Sequence, residues 1–242
     1  MFLAEGPQAV REALASPGAV TEVLATAEFT RRHPEFRAAA RTARVTWHEA
    51  SGAVLAVVSD TVTPQGIVAI CHMPTTNWVD VSAQPLSLVV LMAAVRDPGN
   101  AGTVIRVADA AGADAVVFTA SSVDPFNPKS VRSSAGSIFH LPVVVGPEVA
   151  QVVEELRSAG LQVLAADGAR GQDLTELRSA NVLAGPTAWL FGNEAWGLPA
   201  EVTDLADLAA AIPIYGRAES LNLATAAAVC LYASAEAQRA GT

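Results

Sequence analysis

Lysine is nearly missing from this chain of 242 residues, which has only Lys129. Arginine supplies almost all of the 15 basic residues, against 24 acids, and the formal net charge is −9. So acidic a chain does not hold nucleic acid by broad counterion release, although a local basic patch stays open to it. Two patches are visible: Arg31, Arg32, Arg37, Arg41 and Arg44 lie close together, and Lys129 and Arg132 follow Arg96 and Arg106. Arginine suits bidentate contact with phosphate. The two cysteines, Cys71 and Cys230, form no CxxC pair and read as small buried hydrophobes in a reducing cytosol. The four histidines, at 33, 48, 72 and 140, lack metal-ligand spacing, so no metal site is expected.

Long apolar runs are also missing. The longest, Leu86 to Val95, falls far short of the roughly 20 residues that span a bilayer, so no membrane association is expected. The N-terminus has no basic region followed by a long apolar core, so it does not read as a signal peptide. No GxGxxG follows a strand, which leaves a dinucleotide-dependent oxidoreductase without its fingerprint. GxxxxGK[ST] and GxSxG are absent too, which argues against a P-loop NTPase and an α/β hydrolase. Hydrophobic residues nevertheless make up 51% of the chain. That implies an ample core or surface hidden in an oligomer.

Alternating helix and strand patterns run from residue 1 to about 72. "PQAVREALA" reads as helix, "AVTEVLAT" as strand, and "AEFTRRHPEFRAAARTA" as helix broken at Pro34. "RVTWHEA" is a short strand, "GAVLAVVSD" a helix after Ser51, and "GIVAIC" a strand. Residues 73–86 carry two prolines and no periodicity, and read as a linker. From Ser87 the pattern is strand, turn, helix, repeated. "SLVVLMAAV" is apolar throughout, as in a parallel sheet covered on both faces. The fold class expected is α/β, with a small domain at 1–72 and a parallel-sheet domain at 87–242.

In open parallel sheets, ligands bind beyond the carboxyl ends of strands. Three such ends are rich in polar residues. "RDPGNAGTVIR" places Asn100 and Arg106 after the first apolar strand, near one face if the loop folds back; a capped helix with a solvated arginine is the plainer reading. "FGNEAWGLP" brackets Glu194 between Gly192 and Gly197, where a ligand could approach the backbone, or where there is an ordinary turn. "IPIYGRAESLNLATAAAV" places Ser220 as a helix N-cap and Asn222 further in, where asparagine is unexpected. Arg217 and Glu219 in the same turn read as a surface ion pair.

In order and spacing, the three segments resemble the three motifs of the SpoU (TrmH) family of RNA ribose 2′-O-methyltransferases, in the SPOUT superfamily. The matching residues are Asn100 with Arg106, Gly192 and Glu194 with Gly197 and Leu198, then Ile212, Pro213, Gly216 and Ser220-Leu221-Asn222. "PKSVRSSAGSIFHLPV" resembles the segment between the first two motifs, and "FLAEGPQAVREAL" the L30e-like RNA-binding domain that many members carry. The resemblance implies a deep trefoil knot in the second domain, S-adenosylmethionine bound in the knotted loops, and a homodimer; cysteine usage adds the expectation that it is cytoplasmic. It implies cofactor contacts from Gly192, Ile212 and Leu221, and a catalytic cluster of Asn100, Arg106, Glu194, Ser220 and Asn222. Arg132, Ser134, Arg31 and Arg32 are candidates for RNA contact. The implied substrate is a ribose 2′-hydroxyl in structured RNA, leaning toward ribosomal RNA over tRNA. A catalytically silent RNA-binding protein of the same fold is the alternative of a different class.

Overall fold

The computed structural model of the chain describes residues 1–193 and 195–240. Its first part is β1 (Phe2–Glu5), α1 (Pro7–Ala15), β2 (Val20–Ala25), α2 (Ala27–Arg32), α3 (Pro34–Thr42), β3 (Thr46–Glu49), α4 (Gly52–Val58) and β4 (Ile67–Cys71). Four strands in the order β1-β4-β2-β3 form one sheet, with β4 antiparallel to both neighbours and β3 parallel to β2. Pro34 separates α2 from α3 because its ring cannot continue the preceding turn. Ser51 caps α4 by accepting from the Val54 N–H at 3.3 Å. Strand β1 has no counterpart in the sequence reading. Four residues beside a helix start give too few alternations to register.

Within the stretch read as a linker, Trp78–Ser82 form α5, and Trp78 and Val81 are buried against the second sheet. Then follow β5 (Leu88–Met92), α6 (Pro98–Ala111), β6 (Ala115–Phe118), α7 (Pro128–Ser133), β7 (Val143–Val145), α8 (Val149–Ser158), β8 (Gln162–Ala166), β9 (Gln172–Asp173), α9 (Leu174–Ser179), β10 (Thr187–Phe191), α10 (Ala200–Thr203), β11 (Leu208–Ala211) and α11 (Leu223–Ala240). The seven strands form a parallel sheet in the order β7-β6-β5-β10-β8-β11-β9. All residues of β5, β6 and β10 are buried, as their apolar runs require of a sheet covered on both faces. A side chain such as Leu91, fully buried here, contributes about 2 kcal/mol by leaving water.

This strand order positions the site. β5, β10, β8 and β11 are consecutive neighbours, so the chain leaving each carboxyl end enters one shared region. Asp97 caps α6 by accepting from the Asn100 N–H at 2.8 Å, and Gly112 closes that helix in the left-handed region at φ 76°. No helix among the described residues is long and apolar enough to cross a membrane.

Candidate active site

The loop after β10 turns back on itself. Asn193 and Gly197 exchange two main-chain hydrogen bonds of 2.9 Å each. Asn193 is buried, and its Nδ2 donates to the Ala94 carbonyl at 3.1 Å, which ties this loop to the one after β5. A Cβ on Gly192 would lie 2.5 Å from the main chain of Gly197, so only glycine allows the two strands of the loop to meet. Glu194 lies outside the described residues.

Beside this loop is a cavity of about 320 Å³. Gly192, Ile212 and Leu221 all line it, and so do Ser220 and Glu219. Phe191, Ile214, Leu223 and Ala226 give it apolar walls. Among the described residues, no lysine or arginine lines it. The main-chain N–H groups of Gly192, Ile212 and Leu221 have no hydrogen-bond partner among the described residues. An apolar slot edged by free backbone donors suits a flat, neutral heterocycle such as adenine. These features fit S-adenosylmethionine. Ala166, Asp167 and Gly168 at the end of β8, which belong to none of the three motifs, form another wall. The signal was present in "AADG", a turn directly after a strand, but it held no residue of catalytic type except Asp167. That carboxylate is used locally: it accepts from the N–H groups of Ala169 and Arg170 at 2.9 and 3.2 Å.

The third motif differs from the sequence reading in one respect. Ser220 does not cap the last helix. Helix α11 begins three residues later, at Leu223. Asn222 is the cap, its Oδ1 accepting from the N–H groups of Ala224 and Thr225 at 2.9 and 3.3 Å. Asparagine is therefore not a misfit inside a helix but a favoured residue at its start. The other end of the same amide, Nδ2, donates to Asn100 Oδ1 at 3.0 Å, so the first and third motifs touch. Arg217 and Glu219 are both exposed and form no ion pair with each other; Glu219 lines the cavity instead.

Asn100 and Arg106 share helix α6, with no loop folding back between them. Six helical residues correspond to a rise of about 9 Å and faces about 120° apart. Arg106 is exposed and has no hydrogen bond or ion pair among the described residues. Its guanidinium stands beside the Asn100–Asn222 pair in sequence order but is not joined to it.

The candidate RNA contacts divide. Arg31 and Arg32 are exposed at the end of α2, and Arg32 pairs with Glu28 at 2.8 Å. Arg37, Arg41 and Arg44 are exposed nearby. Ser134 is buried, and its hydroxyl donates to the Val131 carbonyl at 2.8 Å, so it has no surface through which to reach RNA. Arg132 faces two carboxylates, Glu5 Oε2 at 3.6 Å and Asp60 Oδ2 at 3.1 Å. Both cysteines are buried, which pushes each thiol up to about 12 and leaves it protonated and unreactive.

Comparison with known proteins agrees with this geometry. The SpoU rRNA Methylase family matches residues 87–232, and the RNA 2′-O ribose methyltransferase substrate-binding family matches residues 3–76. A Bacillus subtilis protein named 23S rRNA (guanosine(2553)-2′-O)-methyltransferase RlmP is 39% identical over 231 residues, covering 96% of this chain and 87% of that protein. A Streptomyces viridochromogenes 23S rRNA (uridine(2479)-2′-O)-methyltransferase is 38% identical over 174 residues, covering 70% and 59%. The structure of the SpoU methyltransferase AviRb from Streptomyces viridochromogenes, in complex with the cofactor AdoMet, superposes with a TM-score of 0.84 at 32% identity, covering 100% of this chain and 91% of that one. An AdoMet-bound rRNA methyltransferase from Sinorhizobium meliloti gives 0.83 at 31%, covering 97% and 87%. With its motifs in contact around a cofactor-sized cavity, the chain belongs to the SpoU rRNA methylase family.

Proposed function

We propose that this protein methylates a ribose 2′-hydroxyl in structured ribosomal RNA, using S-adenosylmethionine. One observation carries the reading: the Asn100–Asn222 bond fastens the first motif to the third beside the cavity that Gly192, Ile212 and Leu221 line. S-adenosylmethionine, when bound, supplies a methyl group already activated on a sulfonium. What remains for the protein is alignment and charge management. The apolar walls and the free N–H groups would hold the adenine end. Asn100, Ser220 and Asn222 would position the ribose, with Glu194 as a fourth member of the cluster. Arginine keeps its proton at any working pH, so Arg106 is a poor general base. Its role is to orient the hydroxyl and stabilise the negative charge that develops on it, while the proton leaves to a phosphate oxygen or water.

The rest of the molecule supports an RNA substrate. Residues 1–72 would grip RNA through the exposed arginines of α2 and α3, with 73–86 as the connection and 87–242 as the catalytic domain. The loops after β10 and β11 would be those of the trefoil knot. A cytoplasmic homodimer completes the reading. Val229 and Tyr232 are exposed on α11, and the Tyr232 hydroxyl reaches the Ala110 carbonyl of α6 at 3.5 Å, on the helix that carries Arg106. A second copy covering this face would enclose the free guanidinium.

The test is to incubate the protein with tritiated S-adenosylmethionine and RNA from cells lacking it, then map 2′-O-methyl sites in ribosomal RNA and tRNA. A single ribosomal site is expected. Transfer to tRNA alone would move the substrate class, and cofactor binding without transfer to any RNA would leave a silent RNA-binding protein.

A further inference from the structure

The first unit is docked onto one short segment of the second. Phe2 packs between Phe126 and Phe139, with ring centroids 5.1 and 5.8 Å away. His140 bridges Asp109 at 2.8 Å and Glu12 of α1 at 3.2 Å. Gly136, at φ 98°, lies so close to α1 that a Cβ there would be 2.6 Å from Glu12 Cγ. On α7, Arg132 reaches both Glu5 and Asp60. The opposite side of α7 rests on α6. A Cβ on Gly102 would strike the Ser130 carbonyl and the Ser133 hydroxyl. Lys129 Nζ pairs with Asp97 at 2.9 Å, and Asp97 caps the helix turn that holds Asn100. One six-residue helix thus touches the first unit on one side and the catalytic helix on the other.

We propose that Arg132 is a positioning residue, the latch that fixes the angle at which the first unit presents RNA to the catalytic cluster, and that it is not a phosphate ligand. The local charge supports this. Two carboxylates lie within 4.0 Å of one guanidinium, so the cluster carries a net negative charge and repels phosphate. Glu5 cannot be spared its partner. Its side chain is 5% exposed, its Oε1 already accepts the Asp60 N–H at 3.0 Å, and Arg132 is the one cation that faces Oε2 among the described residues. A buried carboxylate without a counter-charge is strongly disfavoured. Nη2 donates to Asp60 at 3.1 Å, while Nη1 faces Glu5 Oε2 at 3.6 Å as a charge pair without a hydrogen bond; the fork aims one nitrogen at each carboxylate, where lysine offers a single point charge.

The inference rests on the methyltransferase reading above, and Asp60→Asn in the full-length protein separates the two. Asp60 is 61% exposed on its side chain, so the variant should fold. A latch predicts that D60N and R132K each raise the KM for total ribosomal RNA by about three- to tenfold. The KM for S-adenosylmethionine and kcat should not change. Small-angle scattering of the free protein should show a larger maximum dimension. If Arg132 were a phosphate ligand, D60N would free it and lower the KM for RNA. An unchanged or lowered RNA KM in D60N, with unchanged scattering, overturns the latch. Scattering needs no RNA, so a protein that loosens in D60N yet methylates no RNA would keep the latch and refute the substrate reading.

Discussion

The side-chain amide of Asn222 donates to Oδ1 of Asn100 at 3.0 Å, joining residues 122 positions apart, while its own oxygen caps helix α11. The two duties can be separated. Serine caps as well as asparagine but is too short to reach Asn100. Asn222→Ser should therefore keep wild-type stability and lose at least tenfold in methyl transfer. Asn222→Ala should lose about 1 kcal/mol of stability as well. Thermal unfolding alongside single-turnover tritium transfer reads both, and wild-type turnover in N222S would discount the contact.

Gly192→Ala should disturb the proposed cofactor site before anything else. The new methyl would meet the Gly197 main chain at 2.5 Å, and shifting backbone costs about 1–3 kcal/mol. Calorimetry should show at least tenfold weaker S-adenosylmethionine binding. Gly185→Ala is the control, because nothing lies within 4 Å of that position and its φ of −83° suits alanine.

Arg106 is exposed and makes no hydrogen bond or ion pair among the described residues, so Arg106→Ala should leave the melting temperature nearly unchanged, as surface changes within about 0.5 kcal/mol do. Methyl transfer should fall by about a hundredfold or more, the scale on which removing one charge-stabilising donor acts. Arg106→Lys should restore little of it. Near-wild-type turnover in R106A would remove arginine from the chemistry.

His140 should make stability depend on pH. Its hydrogen bond to Asp109 holds the imidazole pKa above the ordinary 6.5, helped by Glu12 and opposed by partial burial. A raised folded-state pKa contributes stability that is fully present below about 6.5 and is lost as pH rises through the folded value. The gap in melting temperature between wild type and His140→Gln should be widest near pH 6 and shrink toward pH 8. A gap that grows with pH would contradict the bridge.

The strands of the second sheet were legible because strands buried on both faces leave continuous apolar runs, as in Leu88–Met92 and Thr187–Phe191. Helix ends marked by Gly112 and Ser51 were legible because capping is local chemistry, whereas the turn expected at Asp97–Asn100 is already helix: α6 starts at Pro98, four residues before Gly102. Five short elements were not, namely β1, α5, β7, β9 and α10, of two to five residues; such lengths give little period to read, although β3, of four, is legible in "RVTWHEA". The start of α11 was misplaced because Ser220 and Asn222 are both good caps, and only the fold decides which backbone N–H groups need one.

Of the expected site residues, Gly192, Ile212, Ser220 and Leu221 come from motif order, and the structure brings all four to one cavity. Asp167 and Asn193 were missed because their side chains serve the backbone of the loops that shape it, a duty visible only once those loops are folded. Arg132 was a candidate RNA contact through its match to the segment between the first two motifs, which carries no sign of its ion pairs. Its partners, Glu5 and Asp60, lie more than seventy residues upstream, beyond any local pattern.

The packing of α7 against Gly102 also bears on recombination between relatives. A chimaera that takes residues 1–72 from another member brings foreign counterparts of Glu5, Glu12 and Asp60 to the Arg132 and His140 of this chain. A cut placed at the linker separates the two halves of that interface, although it looks like the natural seam. Exchanging residues 128–140 as well would carry the match across, but the new inner face of α7 would then have to fit the bare backbone at Gly102. In this fold the segment that a swap must keep compatible lies inside the catalytic half, between its first and second motifs.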